Sequence, residues 1–151
     1  MFMAKQQALS LDVDSMINDF FEDCRIYGIV TNFKNYKFCW YINKMMGYNF
    51  KLNVDIEIIT QKKERRYVFP VYQHSIKNSS VSHYLYDNSF DGEYLIPEFK
   101  HIDFLWLMKG EHYIDEEECN EVIEIVRSTK EVQMISEIDI EKLPSRAYLI
   151  F

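Results

Sequence analysis

Glycine, proline and cysteine are all scarce: four, three and three among 151 residues. So little glycine and proline leaves no material for long irregular segments. The cysteines, Cys24, Cys39 and Cys119, are odd in number and lack C-x-x-C spacing. That excludes a disulfide framework and, with only four histidines, any zinc pattern. Each lies in an apolar-rich stretch, the setting of a reduced thiol serving as a small core residue. Long hydrophobic runs are missing as well. None approaches the roughly 18 residues of a membrane span, and residues 1–14 hold one lysine and no run of signal-peptide length. The expectation is a soluble protein of a reducing compartment, most simply the cytoplasm, with no membrane partner.

Positive charge is in deficit too. Residues 1–110 carry 13 acidic and 13 basic side chains, so the whole net charge of −7 falls in residues 111–151, where 11 acids meet 4 bases. An acidic end repels polyanions, and no nucleic-acid partner is expected. The cluster Lys62, Lys63, Arg65 and Arg66 is interrupted by Glu64 and reads as a solvated hairpin tip.

Apolar material is plentiful, at 48% hydrophobic and 16% aromatic residues. Folding at this length buries roughly two-thirds of the unfolded surface, enough for a core without staples. The chain therefore reads as a single domain over residues 17–151 behind a flexible lead-in of residues 1–16.

Cys24, Ile26, Gly28 and Val30 alternate with Arg25, Tyr27 and Ile29 as a first strand, in which Gly28 marks a bulge or a close backbone approach. Residues 35–46 suit a helix capped by Asn35 and ended by Gly47. Its apolar circumference implies packing on more than one side, or partly against a partner. Residues 53–61 and 65–74 alternate as two antiparallel strands, with Pro70 favouring an edge. Residues 81–86 and 93–96 follow as strands, with a turn between them. Residues 102–108 are nearly continuous in hydrophobicity, as in a central strand covered on both faces. A second helix starts at Asp115 with Glu118 in a capping box, and Cys119, Val122, Ile123 and Val126 trace its buried stripe. A strand over residues 131–138 and an apolar tail over 148–151 complete an α+β domain: a mostly antiparallel twisted sheet with two helices packed on one face.

One stretch stands apart. Between two apolar runs lie Ile96, Pro97, Glu98, then three residues on Ile102, Asp103 and Phe104. Proline ends or bends the strand before it, and Glu98 and Asp103 can accept main-chain N–H bonds that a corner would otherwise leave unpaired. A sharper alternative makes Glu98, His101 and Asp103 a catalytic or metal-binding group, since two carboxylates and an imidazole suit acid–base chemistry or a divalent cation. Its obstacle is that His101 and Asp103 share one face of an extended chain while Glu98 need not.

These residues resemble the IPExxxVDY family of small proteins from Bacteroidetes-type bacteria, with Ile102 in place of valine and Phe104 in place of tyrosine. Lys37 to Trp40, Asn43, Lys44, Gly47 and the Leu149-Ile150-Phe151 ending are similar to other stretches of that family. The resemblance implies a lineage and no chemistry, and Phe104 removes any role that needs a phenol.

Other candidates carry less. His74 and His83 can meet across adjacent strands. Ser79, Ser80 and Ser82 lack a nucleophile elbow, the four glycines are too scattered for a phosphate loop, and Tyr84, Tyr86, Phe90 and Tyr94 fit strand packing better than base stacking. No cofactor and no metal are expected. The reading is a non-catalytic protein-interaction or scaffold module of the bacterial cytosol, able to bind a protein partner or a second copy of itself. A small enzyme or metal site built on Glu98, His101 and Asp103 is the alternative.

Overall fold

The computed structural model describes residues 13–34, 36–62, 64–110 and 116–151. A helix, α1, covers residues 13–21. It leads into β1 (Cys24–Thr31), α2 (Tyr36–Met46), β2 (Lys51–Leu52), β3 (Ile58–Lys62), β4 (Arg65–Phe69) and β5 (Val71–Ser75). Then come β6 (Ser82–Asp87), β7 (Ser89–Phe90), β8 (Glu93–Tyr94), β9 (Phe104–Lys109), α3 (Glu116–Arg127) and β10 (Val132–Ile138). Six strands form one sheet in the order β10-β1-β9-β6-β5-β2, every pair antiparallel. The α+β assignment, with a mostly antiparallel sheet, holds.

The continuous apolar run behaves as its composition requires. On β9, residues Phe104, Trp106 and Met108 enter one core, while Leu105 and Leu107 enter a second on the opposite face. Alternation on a strand forces that split, and only a strand covered on both sides can bury all five. The first core takes Phe38, Cys39 and Ile42 from α2 and Cys119, Ile123 and Val126 from α3, so two helices do share one face. Stacking of Phe38 on Phe104, with ring centroids 4.8 Å apart, joins helix to sheet. The second core is closed by Phe21 of α1, by the β3–β4 hairpin through Ile58, Tyr67 and Phe69, and by Leu143 and Leu149 near the C-terminus.

Four expectations need correction. The lead-in is shorter than residue 16, because residues 13–16 are already helical; residues 1–12 lie outside the described residues. The strand read across residues 65–74 is two strands: at Pro70 the chain leaves the hairpin and joins the main sheet. Pro70 therefore marks a change of sheet instead of an edge strand, since it supplies no N–H to either ladder. Residues 53–57 form no strand: Val54 is 78% exposed, and the Ile56 N–H turns back to the Asn53 carbonyl at 3.3 Å. Finally, α2 buries one face only. The Asn35 and Asp115 caps lie outside the described residues, while Gly47 ends α2 at φ 69°.

Gly28 is a close approach. A Cβ there would sit 2.5 Å from Ile102 Cδ1 and 2.9 Å from Ile138 Cδ1. Both are ends of isoleucine side chains, so the clash is relieved by moving them, and Gly28→Ala is expected to cost about 1–2 kcal/mol. A urea midpoint unchanged from that of the native protein would show that this contact has slack.

Candidate functional site

The Ile96–Phe104 corner is built from both cores. Pro97–Phe99 form a 3-10 turn closed by the Phe99 N–H on the Ile96 carbonyl at 3.1 Å. Leu95, Ile96 and Ile102 are buried in the second core, which anchors the turn at each end. Asp103 extends the sheet: its N–H donates to Ile29 O at 2.8 Å, and its carboxylate accepts the Thr31 N–H at 2.9 Å. The exposed Glu98 carboxylate accepts the Ser145 N–H at 2.7 Å. Both acids thus hold main chain, but from distant segments rather than from their own loop. Asp103 fixes the end of β1, and Glu98 fixes the C-terminal segment. His101 is exposed, with its ring edge-on to Phe99 at 6.0 Å. Glu98, His101 and Asp103 are each engaged with a different part of the chain. Among the described residues no group of three or more His, Cys, Asp or Glu is placed to hold a metal ion. Phe104 is 1% exposed against Phe38, where a tyrosine hydroxyl would need a buried partner.

The residue that organises the corner escaped the sequence reading. Asn88 is fully buried. Its side-chain NH2 donates to Phe99 O at 3.0 Å and to Ile102 O at 2.9 Å, and its Oδ1 accepts the Ile96 N–H at 2.8 Å. Its own N–H donates to Asp103 O, and its carbonyl accepts the Leu95 N–H. One amide therefore stands in for a missing strand. Beside it Asp87 is 7% exposed, with its carboxyl accepting the Ser89 N–H at 3.2 Å. Burial, reinforced by the nearby Asp103 charge, pushes that carboxyl up to about 6 against the opposing Ser89 hydrogen bond.

A second polar group lies toward the other end of β6. His74 and His83 are directly paired across β5 and β6, with rings stacked at 5.7 Å. Tyr48 stacks on His74 at 4.3 Å. His83 Nδ1 accepts the Trp106 indole N–H at 3.0 Å, and His74 Nδ1 accepts the Asn49 N–H at 3.0 Å. Each neutral ring therefore carries its proton on Nε2. Burial, with His74 alongside, lowers His83 to about 4, and burial lowers His74 as well. His83 lines a cleft of about 340 Å³ with Tyr48, Met108, Cys119 and Val122. The Cys119 thiol is raised chiefly by burial, which suits packing rather than attack.

The remaining feature is the outer face of α2. Tyr36 and Trp40 are 63% and 60% exposed, and Lys44 lies over the Trp40 ring at 5.1 Å. At 100° per residue, Tyr36, Lys37, Trp40 and Lys44 point away from the buried stripe of Phe38, Cys39 and Ile42. Residues 24–54 contain no Asp or Glu, and this is the sequence signal that would have found the face. In contrast, the hairpin-tip arginines are partly neutralised: Arg65 pairs with Asp91, and Arg66 lies 3.8 Å from Glu57. No helix among the described residues is long and apolar enough to cross a membrane. No family model matches this chain, and neither a curated protein nor a solved structure matches it.

Proposed function

We propose that this chain is a non-catalytic protein-interaction module of the bacterial cytosol, with the outer face of α2 as its docking surface. The observation that carries the reading is the exposure of Trp40 and Tyr36 beside two lysines, Lys37 and Lys44. Tryptophan and tyrosine are the residues that interfaces enrich, and lysines beside them select an acidic counterpart. The Pro97–Asp103 corner supports the same reading, because its carboxylates are occupied by the Ser145 and Thr31 amides. The IPExxxVDY lineage is part of the proposal and rests on the motif residues.

The test compares native protein with a Tyr36→Ala/Trp40→Ala variant as baits under identical conditions. Both side chains are exposed, so the fold is expected to survive. Loss of bound protein by tenfold or more in the variant is the expected result, in line with truncating two central anchors. Equal capture by both baits would remove α2 as the docking face.

A further inference from the structure

Resting on that reading of α2, we infer that the occupant of this face is a second copy of the chain, in a two-fold dimer that sets each α2 against the α3 of its partner. The two helices lie on the same face of the sheet, both packed into the first core. Near their C-terminal ends Thr129 Oγ1 contacts Met45 Sδ at 3.4 Å. Their outer surfaces are opposite in charge. Helix α2 has two lysines and no acid, whereas α3 has five glutamates and one arginine.

The outward ridge of α3 is fixed by its buried stripe. With Cys119, Ile123 and Val126 facing inward, Glu117, Glu121, Glu124 and Ile125 face outward. Ile125 is 44% exposed, an apolar counterpart for Trp40. A two-fold axis running between the helices carries α2 onto the α3 position and α3 onto the α2 position. Isologous contact requires this reciprocity, with each patch meeting its complement twice. The chain thus supplies both halves of a charge-matched interface, which an unrelated acidic protein would supply only for α2. Helices of 11 and 12 residues are about 17 Å long. The shared face is therefore small for a stable interface, and the dimer is expected to be concentration-dependent and weakened by salt.

The experiment is sedimentation equilibrium of the full chain at low and high salt, with two charge-reversed variants. Lys37→Glu/Lys44→Glu makes both outer faces acidic; Glu117→Lys/Glu121→Lys/Glu124→Lys makes both basic. Each variant alone is expected to weaken dimerisation by roughly tenfold or more. An equimolar mixture is expected to restore it as a heterodimer, since acidic α2 then meets basic α3 and the reverse. This rescue distinguishes the proposal from mere damage to either variant. A native chain that stays monomeric at low salt overturns it, as does a mixture that fails to pair. Monomeric protein whose capture of another protein still depends on Trp40 would sink the dimer alone and leave the α2 docking face standing. Monomeric protein whose capture ignores Trp40 sinks both. Retention of RNA or anionic vesicles through Lys37 and Lys44 by a monomer also counts against self-pairing.

Discussion

Asn88→Ala is expected to destabilise the protein by about 4 kcal/mol, lowering the melting temperature by roughly 10 °C for a chain of this size. The mutation removes a side chain with no exposed surface and three hydrogen bonds. It strands the Ile96 N–H and the Phe99 and Ile102 carbonyls, each at about 1–3 kcal/mol when left unpaired, less whatever a water admitted to the cavity restores. Asn88→Asp separates shape from hydrogen bonding. It keeps an acceptor for Ile96 but turns a carboxylate toward two carbonyls, so it should be at least as damaging at pH 7 and partly relieved in acid. Urea unfolding gives the magnitude, and amide exchange at Ile96 and Leu95 gives the location. A loss below about 1 kcal/mol, with both amides still protected, would mean that the apolar anchors Leu95, Ile96 and Ile102 hold the corner unaided.

That prediction concerns a residue whose importance the sequence conceals, and the reason is physical. In Asp87-Asn88-Ser89 an asparagine reads as an ordinary turn residue, because local preference records how it bends its own backbone. Its burial arises from residues 95–103 folding over it, a long-range event with no periodic signature. Signals that depend only on local pattern were legible: the β9 run, the α3 stripe and the His74–His83 pairing. Patterns that competing contacts override were not. Val54 and Ile56 alternate like strand residues, yet the chain turns away from the sheet edge there. Tyr36 and Trp40 look like core on composition, whereas only Phe38, Cys39 and Ile42 fit beneath α2. The two acids of the motif were legible as main-chain acceptors; which amides they would reach was not, since Thr31 and Ser145 are 72 and 47 residues away.

Acidification should act on the stability of this fold through His83, with an effect of about 3 kcal/mol between pH 7 and pH 4. The folded protein holds His83 at about 4 by burial, with the neighbouring His74 adding to the depression, against 6.5 for the free side chain. As pH falls through 6.5 the unfolded chain takes up a proton that the folded chain refuses, so stability is lost progressively down to about pH 4. His74, also lowered, works in the same direction. Asp87 works against them: its carboxyl, raised from 3.8 to about 6, takes a proton in the folded state first, so folding gains stability as pH falls from about 6 to 4. The native protein should therefore show a shallow pH profile that hides two steep, opposed ones. His83→Gln separates them, since its amide oxygen can still accept the Trp106 indole N–H. At pH 7 the variant should be less stable than the native protein, having lost the stack on His74. That deficit should shrink by about 3 kcal/mol as pH approaches 4, because the Asp87 contribution is common to both and cancels in the difference. Urea unfolding at several pH values measures it. Two profiles running parallel from pH 7 to 4 would show that His83 is protonated in the folded state as readily as in the unfolded chain, and that burial beside Trp106 does not exclude its charge.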